Sequence, residues 1–210
     1  MHPSTVPMLA ALALSLGLGS AQADSRSYSG SFQTDDELFT TSFTLTGDDL
    51  FSAISYSFAG GSNAAGSSIA AGGFAPVLAL FEDQLGLVQL VRGSSTVCGA
   101  GSAIDPQSGF CWDARMSVSL TAGHYTLVLS QDGNEPLGQL LSDGYSQSGV
   151  PDYTGQFYLG QAGQHFVMVD GSQRSGAFAL DIQAAAIPEP ASAALLSLGL
   201  LALLRRRREQ

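Results

Sequence analysis

Over much of its middle the chain alternates apolar and polar residues with a period of two. Phe39, Thr41, Phe43 and Leu45 interleave with Thr40, Ser42 and Thr44. Ile54, Tyr56 and Phe58 interleave with Ser55 and Ser57, and Phe178, Leu180 and Ile182 repeat the pattern near the end. Successive side chains of a strand point to opposite faces, so this rhythm predicts half-buried β-strands. Val118 and Leu120 lead through "TAG" into Tyr125, Leu127 and Leu129, which reads as a hairpin. Clusters of Gly, Ser, Asn and Asp, such as "GGSNAAG" and "QSGVPDYTG", punctuate the strands. No segment between Asp24 and Ala186 carries a convincing helical period. Many short strands with Gly-rich turns predict an all-β chain: a single β-sandwich or jelly-roll domain over residues 24–186.

The flanks differ in composition. Leu9 to Leu18 form an apolar run, and Ala21-Gln22-Ala23 is a small-x-small cleavage site. Residues 1–23 therefore read as a secretory signal peptide, the run being too short to span a bilayer. At the other end, Pro188-Glu189-Pro190 precedes the apolar stretch Ala191–Leu204 and then Arg205, Arg206, Arg207 and Arg208. Fourteen helical residues cover about 21 Å, short of a hydrocarbon core about 30 Å thick. The arginines would hold the C-terminus in the cytoplasm, and the prolines keep the strip around Glu189 extended. A plain tail anchor accounts for the span but not for Pro188 and Pro190.

This ordered triple, with a signal peptide at the other end, resembles the PEP-CTERM sorting signal. The resemblance implies cleavage near Pro188-Glu189-Pro190 by an exosortase-type membrane transpeptidase. It further implies transient residence in the inner membrane and release to the cell surface or an exopolysaccharide matrix. The layout is also similar to that of a family of PEP-CTERM surface proteins with no known activity. The matching segments are Gly60–Gly66, Ala71–Leu78, Ala122–Leu129, Asp152–Phe157 and Phe178–Ile182. Within it, Pro76, Leu78, Leu80 and Phe81, then Leu120, Ala122, Gly123 and Tyr125, resemble the bacterial pre-peptidase C-terminal β-sandwich. That likeness implies an accessory role, although Ala75 stands where the family has Asp.

Charge narrows the partners. The chain has no lysine, and residues 24–186 hold four arginines against sixteen acids, a formal net charge of −12. Such a surface repels nucleic acid. Cys98 and Cys111 are the two cysteines, and in an exported chain they are expected to form a structural disulfide.

Catalytic chemistry is sparse. His124 alternates opposite Tyr125 and Leu127 and is expected to face water, and His165 flanks a strand. No G-x-S-x-G or H-E-x-x-H motif is present. The expectation is a non-enzymatic protein without a cofactor, a hydrolase of unrecognised type being a remote alternative. Two binding alternatives stay open. Asp35, Asp36, Glu37, Asp48 and Asp49 flank one strand and could contribute oxygens to Ca2+. Trp112, Tyr145, Tyr153 and Tyr158 lie in or near Gly-rich loops, with Phe157 beside them, and could stack on sugars.

Overall fold

The structure is a computed structural model that describes residues 24–93, 98 and 103–186. The expected signal peptide, Pro188-Glu189-Pro190 and Arg205–Arg208 lie outside the described residues.

Ten strands follow in order: β1 (Asp24–Ser31), β2 (Phe39–Leu45), β3 (Asp49–Tyr56), β4 (Gly61–Ser62), β5 (Ser68–Ile69), β6 (Pro76–Glu82), β7 (Gly86–Arg92), β8 (Arg115–Leu120), β9 (Gly123–Gln131) and β10 (Ala177–Ala186). A 3-10 turn (Leu141–Asp143) and one short α-helix, α1 (Tyr153–Leu159), lie between β9 and β10. One four-stranded antiparallel sheet runs β1-β10-β3-β8, the other β2-β9-β6-β7, and β4-β5 is a small ribbon. The two larger sheets form a β-sandwich, as the alternation predicts.

The inner faces supply the core. Phe51, Ala53, Met116, Leu120, Phe178, Leu180 and Ile182 come from the first sheet; Phe43, Leu45, Leu78, Leu80, Tyr125, Leu127 and Leu129 come from the second. Phe43 stacks on Phe51 at 4.8 Å and on Tyr125 at 5.5 Å. Each fully buried large side chain of this kind contributes roughly 1.5–3 kcal/mol. β6 reads as a continuous apolar run because both its faces are covered. Ala79, Phe81 and Val128 pack outward against Tyr145, under the segment that follows β9.

Three expectations need correction. Ile54 and Tyr56 do not face the core: they lie half-buried on the outer face, while Ser55 and Ser57 are buried. The serines are tolerated inside because each hydroxyl is bonded. Ser55 Oγ accepts from Ala114 N at 2.8 Å, and Ser57 Oγ donates to Ala177 O at 2.8 Å. Their small size also matters, since a Cβ on Gly73 would already lie 2.3 Å from Ser57 Oγ.

Second, β8 and β9 are not a hairpin; they belong to different sheets. Both strands bury their alternate residues in the same core, so the chain must turn a corner between layers. Tyr125 fastens that corner, its hydroxyl donating to Thr121 O at 2.9 Å, the device known as a tyrosine corner in β-sandwiches. Third, α1 lies within the segment read as a loop. At seven residues it is too short to show a period in sequence.

Cys98 and Cys111 are joined, with Cα atoms 5.3 Å apart. Asp24 pairs with Ala184, and Ala186 pairs with Asp49, so both ends of the described chain emerge at one end of the sandwich. The β8–β9 corner is at that end too, because Asp49 also pairs with Leu120. β10 then runs ten residues, about 33 Å, to the opposite end.

Candidate functional site

The opposite end is capped by the long β9–β10 connection, and Asp35 ties this cap to the sandwich. Asp35 is fully buried and gives its amide N–H to Pro151 O at 2.7 Å. Its carboxylate accepts from Thr154 N (2.8 Å), Thr154 Oγ1 (2.5 Å) and Phe166 N (2.5 Å). Thr154 Oγ1 in turn accepts from Val167 N at 2.9 Å. Phe166 sits in the left-handed region at φ 55°, which costs a non-glycine residue about 1–2 kcal/mol. The Asp35 bond and the burial of the ring beside Phe74, 6.0 Å away, offset that cost.

The neighbouring acids also serve turns. Asp36 accepts from Thr34 Oγ1 and Gly149 N, and Glu37 accepts from Gln33 N and Thr34 N. Asp48 and Asp49 lie at the other end of β2, about 20 Å away along the strand. They line a separate cavity of about 270 Å³ with Arg26 and Phe43. The structure thus does not bring the five acids together. Among the described residues no group of three or more His, Cys, Asp or Glu side chains is arranged to hold a metal ion. His124 is exposed and bonds Thr44 Oγ1 at 2.9 Å; His165 meets Pro151 O at 2.8 Å.

The cap gathers most of the aromatic candidates. Tyr153, Phe157 and Tyr158 of α1 line a depression of about 450 Å³ with Asp132, Gln147 and Gln156. Asp132 and Tyr158 also line a second depression of about 170 Å³, whose walls include Trp112, Gln131, Met168 and Val169. The two depressions share Asp132 and Tyr158 in their walls and are together termed the groove. Phe157 is 81 % exposed and meets Tyr158 edge to face at 5.0 Å. Tyr153 is fixed by its hydroxyl, which donates to Asp132 O at 2.7 Å. Tyr145 lies elsewhere, buried against Phe81 and Val128, and does not reach the groove. Sequence reasoning missed Gln131, Asp132 as a groove residue, and Met168. Nothing in their local pattern marks them, because the groove joins residues from β9, α1 and at least three loops.

Trp112 stands on a polar frame. The next residue, Asp113, is buried and accepts three backbone N–H groups: Ser57 (2.6 Å), Phe58 (3.2 Å) and Ala59 (2.9 Å). Phe58 contacts Trp112 edge to face and carries the Arg174 guanidinium 4.1 Å above its ring. Arg174 pairs with Asp105 at 3.1 Å, both side chains almost fully buried. Burial raises the Asp105 carboxyl's affinity for its proton, but Arg174 and Ser108 outweigh it and hold the pKa below the usual range.

Asp113 has no cation of its own. Burial pushes its carboxyl up to about 6, against the pull of the three N–H donors. A carboxyl that holds its proton more tightly when folded stabilises the fold most below its unfolded pKa, and loses that contribution as pH rises through about 6. About two pKa units correspond to about 3 kcal/mol at most. We expect the urea midpoint to decrease as pH rises from about 4 to about 6 and to level off above that, and Asp113→Asn to flatten that slope. An unchanged slope in the variant would assign the effect to other groups.

No curated protein matches the chain. Residues 186–208 match the PEP-CTERM protein-sorting motif, the segment that holds Pro188, Glu189, Pro190 and the four arginines. The motif begins at the last residue of β10, so no spacer separates sandwich and signal. Its three parts imply export, transient anchoring in the membrane and processing by an exosortase: the chain carries a PEP-CTERM sorting signal behind an all-β sandwich.

Proposed function

We propose that the mature protein is a non-catalytic component of the cell surface or its extracellular matrix, and that its groove holds exopolysaccharide. The observation that carries this reading is that Phe157 and Tyr158 line one depression, and Tyr158 and Trp112 the adjoining one, next to polar side chains. Ring faces stack on the apolar faces of sugar rings, and neighbouring amides and carboxylates take the hydroxyls. The position of the groove supports it. It lies at the end of the sandwich away from Ala186, hence away from the membrane during anchoring. A single carboxylate, Asp132, lines the groove among the described residues, whereas glycoside hydrolysis uses two facing ones. That favours binding over hydrolysis.

The test is an array of oligosaccharides probed with the full chain in detergent, with and without calcium. Trp112→Ala, Phe157→Ala and Tyr158→Ala are each expected to weaken capture by about tenfold, the loss of one stacked ring. Tyr145→Phe should leave it unchanged. The proposal fails if the parent protein captures no oligosaccharide in either condition.

A further inference from the structure

The charge around the groove bears on which glycan it takes, an inference that rests on the glycan reading above. Asp132 lines both depressions. Its nearest guanidinium, Arg92, stands 3.7 Å away and is held by Glu135 through both Nε and Nη2. Two carboxylates thus share one cation at the mouth. Burial and the Glu135 charge push the Asp132 carboxyl above the usual range, and Arg92 pulls it only partly back. Deeper in, Gln131 lines the groove at 3 % exposure, with its Oε1 buried and without a hydrogen-bond partner. An orphaned buried acceptor carries a desolvation cost that a ligand donor would remove. The exposed aromatic faces also attract cations.

We propose that the groove selects glycans bearing free amino groups, with a sugar ammonium at Asp132 and a hydroxyl or N–H donor at Gln131. Anionic glycans, such as polyuronates, are repelled by the same mouth and by the domain's net charge of −12.

The experiment compares three oligosaccharides of equal length by calorimetry on the full chain in detergent: oligoglucosamine, its fully N-acetylated form and an oligouronate. Oligoglucosamine is expected to bind about tenfold tighter than the acetylated form, with an advantage that shrinks in high salt; the oligouronate should not bind. Asp132→Asn should abolish the advantage of oligoglucosamine over the acetylated form together with its salt dependence, and an unchanged urea midpoint shows that the variant is folded. Equal binding of the amino and acetylated forms, or tighter binding of the uronate, overturns the charge selection but leaves glycan binding standing. Failure of all three, together with an empty array, overturns both.

Discussion

Replacing Pro188, Glu189 and Pro190 with alanine is expected to trap the chain in the membrane at full length. The parent protein, in a host with an exosortase, should instead be recovered without Arg205–Arg208. The physical case rests on the motif's division of labour. The apolar stretch and the arginines set insertion and orientation, but a span alone has no need of two prolines around Glu189. Proline disfavours helix at its own position and the one before it, and an extended strip is the form a processing enzyme can grip. The effect should be close to all-or-none on immunoblots of membrane and released fractions. Exchanging Arg205–Arg208 for neutral residues should act earlier, by disturbing insertion before cleavage. Release of the triple-alanine variant at the parent rate would reduce the segment to an anchor.

Asp35→Ala should cause the largest loss of stability available to a single polar substitution in the sandwich. Three donors would lose their acceptor in a fully buried site, and Phe166 would lose the bond that holds its left-handed backbone. Breaking a buried hydrogen-bonded network of this kind costs about 4 kcal/mol, a large share of the stability of an ordinary domain. Asp35→Asn should fare little better, because its amide N–H₂ would face other donors. Thr154→Val should lose about half as much, since Asp35 would retain two backbone donors. Urea unfolding reads the global loss, and hydrogen exchange should show it first across residues 150–174, where the groove is built. A change below about 1 kcal/mol in Asp35→Ala would remove Asp35 from its place as the cap's anchor.

These two residue sets differ in how visible they are in the sequence. The sorting motif is a linear code, legible because an enzyme and a membrane read it in order. Alternation in β2, β9 and β10 was legible for a similar reason: one face of each strand meets the core. β1 was not, because its eight residues contain one large apolar side chain, Tyr28, and it forms by pairing with β10. β3 misled because hydrogen-bonded serines face inward. The acids looked like a cation cluster because carboxylates that satisfy turns and carboxylates that bind metal have the same composition; the partners of Asp35 lie 119 and 131 residues away. Trp112, Tyr153 and Tyr158 stand out by type, but their meeting depends on a cap that no local pattern records, and Tyr145, which stands out in the same way, is buried.

β10 is the last strand in the sequence, yet it lies between β1 and β3, with eight residue pairs to each neighbour. Tension applied at Ala186 while the groove end is held therefore pulls along the strand axis. Separation then requires both ladders to slide at once, in shear, instead of parting one bond at a time. A load carried from Ala186 to the far end of the sandwich therefore meets the fold in its most resistant direction.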